Sequence, residues 1–188
     1  GRAETIGDTA KVLSRYVDAI MIRTTDHSRL LELAEHATVP VINALTDLTH
    51  PCQIMADIMT FEEHRGPTKG KTFSWMGDGN NVLHSFVEGS ARFGYTMKMA
   101  VPMGSEPDDK ILNWARDNGG DILLGHDPEA IADGSDLIVT DCWVSMNQEH
   151  RARGHNIFQP YQVNKQLMAR ADKDALFMHC LPAHRGEE

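Results

Sequence analysis

The chain is short of the features that mark several large protein classes. Its 188 residues hold three cysteines, Cys52, Cys142 and Cys180, an odd and widely spaced set without a C-x-x-C pair. That pattern indicates neither a disulfide framework nor a structural zinc site, and a reducing, cytoplasmic setting suits it best. No apolar run approaches the roughly 18 residues that a membrane-spanning helix needs, and no signal peptide or basic amphipathic leader is visible. Positive charge is scarce too, with 18 Lys and Arg against 27 Asp and Glu and a net charge of −9. A general nucleic-acid binder needs a basic field over the phosphates, so that class is excluded, although a local anion pocket is not. Internal repeats and low-complexity stretches are lacking. What is present is a 41% hydrophobic composition, enough for a packed core.

The apolar residues alternate between helical and extended spacing. Asp8 reads as the N-cap of a first helix in which Val12, Leu13, Tyr16 and Val17 share a face, with a buried strand following over 18–23. Asp26 caps a second helix through Ala37, ahead of a short strand over 39–43. His50-Pro51 places proline in the first turn of a helix in which Ile54, Met55, Ile58 and Met59 recur down to about Arg65, long enough to bridge two domains. Strands over 71–77, 95–101, 121–124 and 136–140 then alternate with helices over 81–93, from Pro107 to about Asn118, and after Asp127-Pro128. Residues 141–160 are polar and irregular, and a helix near 162–171 and a strand over 175–179 complete the pattern. Such alternation predicts an α/β fold with parallel sheets flanked by helices.

In parallel sheets, ligands bind beyond the carboxyl ends of the strands. Three polar clusters fall there: Gly77-Asp-Gly-Asn-Asn81, Asp141 through Met146, and His179-Cys-Leu-Pro182. Gly77-x-Gly79 resembles a phosphate-cradling turn, yet Val82 stands where a dinucleotide fingerprint needs its third glycine. Asn80 and Asn81 either cap the next helix or offer amides to a small polar ligand. Asp141 and Ser145 either close a local turn or present a carboxylate and a hydroxyl to an ammonium group. Cys180 is either a small buried hydrophobe or a reactive thiol. Strand alternation sends His179 and Cys180 to opposite faces, so His179 is badly placed to activate it. A metal set of His50, Cys52, His179, Cys180 and His184 lacks a recognisable ligand spacing. His50 and Gln53 stand at a helix entrance, where free N–H groups attract anions, and Arg23 ends its strand as a cation suited to phosphate oxygens.

Taken in order, His50-Pro-Cys-Gln53, Gly77-Asp-Gly-Asn-Asn81, Asp141-Cys-Trp-Val-Ser-Met146 and His179-Cys-Leu-Pro182 resemble the ornithine carbamoyltransferase family across essentially the whole chain. Ile22-Arg-Thr24 and Phe61-Glu-Glu-His64 extend the likeness. The resemblance implies a two-domain α/β architecture with an incomplete N-terminal domain. Residues 1–49 would close the carbamoyl-phosphate domain, 50–66 form the interdomain helix, and 67–188 form most of the ornithine domain. It implies transfer of a carbamoyl group from carbamoyl phosphate to L-ornithine in arginine biosynthesis, by a homotrimer with no metal or organic cofactor. Arg23, His50, Gln53, Cys180 and Leu181 match carbamoyl-phosphate positions, and Asn81, Asp141, Ser145 and Met146 match ornithine positions. Arg23, His50, Asp141 and Cys180 are the expected catalytic set. Asn147 replaces the glycine usual after Ser-Met. The family's Ser-Thr-Arg-Thr phosphate-binding segment is expected upstream of Gly1, so the isolated chain is expected to be nearly inactive. The alternatives are a carbamoyltransferase for putrescine or an acylated ornithine, both lacking the free α-ammonium that Asp141 suits, or a non-catalytic amino-acid-binding or nucleotide-binding module.

Overall fold

A computed structural model describes residues 4–143 and 155–188. The chain opens on a small α/β unit. Thr5 caps helix α1 (Ile6–Leu13) by accepting a hydrogen bond from the Asp8 N–H at 3.1 Å. The expected cap at Asp8 is therefore corrected: Asp8 lies inside the first turn, where its charge favours the positive helix end. The expected inner face is corrected as well, because Val12, Leu13, Tyr16 and Val17 are exposed and the buried residues are Gly7 and Ala10. Small residues are needed there because α1 lies close against α2 (His27–His36). A methyl group on Gly7 would come within 2.6 Å of the His36 ring. Asp26 caps α2 as expected.

Strands β1 (Ile20–Arg23) and β2 (Val41–Leu45) pair in parallel as a two-stranded sheet. Only Ile20 of β1 is buried, and Met21 is 67% exposed, so this strand is not the buried one its composition suggests. Helix α3 (Pro51–Arg65) follows with proline in its first turn, and Ile54, Ile58 and Phe61 face the core of the larger sheet.

That sheet contains β3 (Thr72–Met76), β4 (Thr96–Ala100), β5 (Asp121–Gly125), β6 (Leu137–Thr140) and β7 (Leu176–His179), in the order β5-β4-β3-β6-β7 with every pairing parallel. Alternation along each strand separates two cores. Phe73, Trp75, Met97, Met99 and Leu137 pack against α3, α4 (Asn81–Phe93) and α5 (Asp109–Asp117). Met76, Ala100 and Ile138 pack on the other face against α6 (Pro128–Ala132) and Leu167 of α8 (Lys165–Met168). Helix α7 (His155–Phe158) lies between β6 and α8 in the chain. Helix α8 is shorter than its pattern suggests, because i to i+3 bonds from Arg170 to Leu167 and from Ala171 to Met168 tighten the chain out of α geometry. Among the described residues no helix is long and apolar enough to cross a membrane.

The chain runs outward from β3 through β4 to β5, then returns to build β6 and β7 on the other side of β3. The direction of winding reverses between β3 and β6, and a crevice opens at such a point above the carboxyl ends of the strands.

Candidate active site

Register delivers three residues to that crevice. Met76 pairs with Thr140, and Thr140 pairs with His179. The next residues along, Gly77, Asp141 and Cys180, therefore leave the sheet side by side. Thr140 Oγ1 donates to the Met76 carbonyl at 2.7 Å and ties two of these ends together.

Asp141 is 9% exposed, and its carboxylate is the hub of the rim. Oδ1 accepts from the Cys142 N–H at 2.7 Å and from Cys180 Sγ at 2.9 Å, while Oδ2 accepts from Asn80 Nδ2 at 2.7 Å. Asn80 also caps α4, its Oδ1 accepting from Val82 and Leu83 N–H groups at 3.0 and 3.1 Å. One side chain thus serves both purposes between which the sequence leaves a choice. Asn81, one residue on, donates Nδ2 to the Thr46 carbonyl at 2.7 Å, which leaves its amide oxygen as the group available to a ligand. Gly79 serves close packing: a methyl group there would lie 2.3 Å from the Ser105 carbonyl oxygen.

Burial, followed by the neighbouring Asp141 charge, pushes the Cys180 thiol far above its ordinary range and the Cys142 thiol up to about 12. Both are protonated hydrogen-bond donors at neutral pH, so Cys180 is no activated nucleophile. His179 does not serve it either. Its Nδ1 accepts from the Leu181 N–H at 2.9 Å and its Nε2 lies 3.2 Å from Glu188 Oε1. Asp141, His179 and Cys180 place donor atoms within 4.8 Å of one another, the spacing of a metal set. The Asp141 carboxylate and the Cys180 thiol already bond each other, His179 Nδ1 takes the Leu181 N–H, and the thiol holds its proton, so the donor chemistry fits a hydrogen-bonded rim better than a metal centre. Leu181, at φ 55° with an exposed side chain, holds a backbone shape uncommon outside glycine, as strained functional turns do.

The opposite wall comes from the segment entering α3. Three bonds fasten 46–50 onto α4: Asn81 to the Thr46 carbonyl, the His84 ring Nδ1 to the Leu48 carbonyl at 2.8 Å, and the His50 N–H to Ser85 Oγ at 2.8 Å. His50 titrates below an ordinary histidine because of burial first and the Arg23 charge second, while Asp141 pulls the other way. The charges of Arg23 and Asp141 thus both reach the His50 ring. The His50 ring is neutral at pH 7, and its Nδ1 is enclosed without a hydrogen-bond partner. Arg23 is exposed at the end of β1. Gln53, one turn into α3, donates Nε2 to Asp57 Oδ1 at 3.0 Å. Cys52 turns away, its Sγ donating to the Asn43 carbonyl at 3.3 Å. Ser145 and Met146 lie outside the described residues.

The sequence reading did not single out Asp57 or Glu188. Asp57 had a readable signal, a carboxylate four residues after Gln53 on a helix face otherwise formed by Ile54, Ile58 and Phe61.

A doubly wound parallel sheet with a carboxylate, an amide and a thiol at its switch point, and an imidazole that feels both that carboxylate and a guanidinium, defines an α/β protein with a site for small polar ligands. The family profile "Aspartate/ornithine carbamoyltransferase, Asp/Orn binding domain" matches residues 69–188, and "Aspartate/ornithine carbamoyltransferase, carbamoyl-P binding domain" matches residues 1–63. The chain belongs to the aspartate/ornithine carbamoyltransferase family. It is 84% identical over 188 residues to the ornithine carbamoyltransferase of Agrobacterium fabrum and 80% identical to that of Rhizobium johnstonii, covering all of this chain and 62% of each relative. The solved ornithine carbamoyltransferase of Pyrococcus furiosus superposes with a TM-score of 0.92 at 51% identity, over 99% of this chain and 61% of that one. The anabolic enzyme of Campylobacter jejuni gives 0.92 at 35% identity, over 99% and 63%. The chain thus spans about three fifths of the length of the relatives it matches.

Proposed function

We propose that this chain forms the ornithine side, and part of the carbamoyl-phosphate side, of an ornithine carbamoyltransferase. The observation that carries the reading is the buried Asp141 carboxylate, braced by Asn80, Cys142 and Cys180, whose charge reaches the His50 ring together with that of Arg23. The proposed division is 1–49 for the end of the carbamoyl-phosphate domain, 50–66 for the connecting helix and 67–188 for the ornithine domain.

Asp141 binds the α-ammonium of L-ornithine by a charge-assisted hydrogen bond, joined by Asn81, Ser145 and Met146. The side-chain amine of ornithine resembles that of lysine, with an ordinary pKa of roughly 10.4, and must lose a proton before it attacks. Its nitrogen then bonds to the carbamoyl carbon, the bond to the phosphate oxygen breaks, and the amine proton leaves with the phosphate. Neutral His50 donates an N–H to the carbonyl oxygen as it gains charge, and Arg23 holds the phosphate. Gln53, Cys180 and Leu181 complete the carbamoyl pocket, and Cys180 braces Asp141 through its S–H rather than acting as a nucleophile. The enzyme would serve arginine biosynthesis in the cytoplasm as a homotrimer.

The test grafts these 188 residues in place of the matching segment of the Agrobacterium fabrum enzyme. Citrulline formed from carbamoyl phosphate and ornithine, with putrescine a poor substitute, supports the reading. No citrulline, or a preference for putrescine or an acylated ornithine, overturns it.

A further inference from the structure

Resting on that reading, we infer that Asp57 is a positioning residue that locks the Gln53 amide in one orientation, so that its carbonyl oxygen meets the NH2 of an acyl phosphate and acyl phosphates lacking that group are disfavoured. An ionised carboxylate only accepts hydrogen bonds, so the Gln53 group 3.0 Å from Asp57 Oδ1 must be the NH2 end. The planar amide then turns its oxygen the other way. Without such a partner an amide is free to flip, and either end could face the ligand. Carbamoyl phosphate and acetyl phosphate have nearly the same shape and the same phosphate. They differ in whether the acyl carbon carries NH2 or CH3, and a fixed carbonyl oxygen is the group that reads this difference.

The setting of Asp57 supports a role beyond packing. The residue is 9% exposed on the inner face of α3, among Ile54, Ile58 and Phe61, where an apolar side chain would be the stable choice. Burial pushes its carboxyl up to about 6, against the opposing pull of the Gln53 bond. Among the described residues, Tyr95, just before β4, and Cys180, just after β7, feel its charge from neighbouring elements. Both are held protonated through the neutral range by burial, so neither competes with Gln53 by changing charge.

The graft decides the matter, with the acetyl phosphate inhibition constant divided by the carbamoyl phosphate KM as the readout, since this ratio cancels effects on the shared phosphate. Asp57→Asn keeps the shape but can offer Gln53 either an oxygen or an NH2. The expected result is a rise of about tenfold in the KM for carbamoyl phosphate and a comparable narrowing of the ratio, with the KM for ornithine within about twofold. In a Gln53→Ala background, Asp57→Asn is expected to add nothing further to either value. A measurement on the unsubstituted graft needs no variant: the ratio should fall as the pH drops through about 6, where Asp57 takes up its proton. An unchanged ratio in Asp57→Asn, the same loss in the Gln53→Ala background, or a ratio flat with pH overturns the inference while citrulline synthesis leaves the functional reading standing. Absence of citrulline from the unsubstituted graft overturns both.

Discussion

The five-stranded sheet and the β1–β2 unit use the same α/β arrangement and enclose very different amounts of it. The larger sheet carries helices on both faces and removes Phe73, Trp75, Leu83 and Phe86 entirely from solvent. The smaller unit gathers Ala10, Ile20 and Leu33 into its core while Tyr16, Met21 and Ile42 face outward. A two-stranded sheet has little stability of its own and leans on what packs against it. The crevice inherits this contrast. Asp141, Asn80, Cys142 and Cys180 brace one another on the rim of the rigid sheet. Arg23 stands exposed on the thin unit, and the neighbouring segment 46–50 is fixed by its three bonds to α4. The Asp141 side is thus organised in advance, and the Arg23 side is as good as its fastening.

The contrast breaks most readily in the two cores. Trp75→Ala should cost about 3–5 kcal/mol in a denaturant melt, and Leu33→Ala in the small core nearer 2 kcal/mol, because fewer neighbours surround the cavity. Equal losses would show the two regions to be equally well packed. At the rim, Asp141→Asn in the graft should lower kcat/KM for ornithine by about 10²–10³, with the KM for carbamoyl phosphate changed less than about threefold. A matching loss on the phosphate side would mean that the walls are not separable.

Asp57 lies on α3, the helix that follows β2 and precedes β3, and sharpens the comparison through stability. Its carboxyl titrates near 6 in the fold and near 3.8 as an unperturbed group, so the folded state binds the proton more tightly between those values. Folding stability therefore falls as pH rises through that window, by roughly 2–3 kcal/mol in all at about 1.4 kcal/mol per unit. Asp57→Asn should remove this slope and raise the melting temperature at pH 7 even as it blurs substrate choice, a common relation between stability and function. Urea melts between pH 4 and 8 check the sign.

The smallest effect expected concerns the fastening. His84 is buried with Nδ1 on the Leu48 carbonyl and Nε2 accepting from the Asp108 N–H at 3.0 Å, and burial holds its pKa below that of an ordinary histidine. The unfolded chain takes up this proton more readily, so the contribution is intact above about 6.5 and is lost as pH falls through the folded value. Protonation would set two N–H groups against each other at Asp108. A lower amide protection factor at Leu48 and His50 in acid, with the protection of the β3 amides unchanged, is the expected signature.

Much of the frame was legible in the residues. Proline in the first turn of α3, Asp26 before α2 and Asp127-Pro128 before α6 mark helix starts by chemistry that acts within one turn. The separation of His179 from Cys180 followed from strand alternation, which is equally local. Less was legible where burial decides. The apolar residues Val12, Leu13, Tyr16 and Val17 carry helical spacing and yet face solvent, because α1 meets α2 through Gly7 and Ala10. The two asparagines show how fine the limit is. One step in the helix start makes Asn80 the cap that touches Asp141 and sends Asn81 to Thr46, and capping preference alone does not separate adjacent identical residues.

Taken by itself, the order of amino acids determined the alternation of helix and strand and put three polar clusters at strand ends, since periodicity and turn chemistry operate over a few residues. Tertiary structure alone decided that β6 inserts beside β3, some sixty residues away, and that Gly77, Asp141 and Cys180 consequently emerge together. It also decided which donor meets which acceptor. A hydrogen bond is set by separations near 3 Å, and those exist only after non-neighbouring strands have found their register.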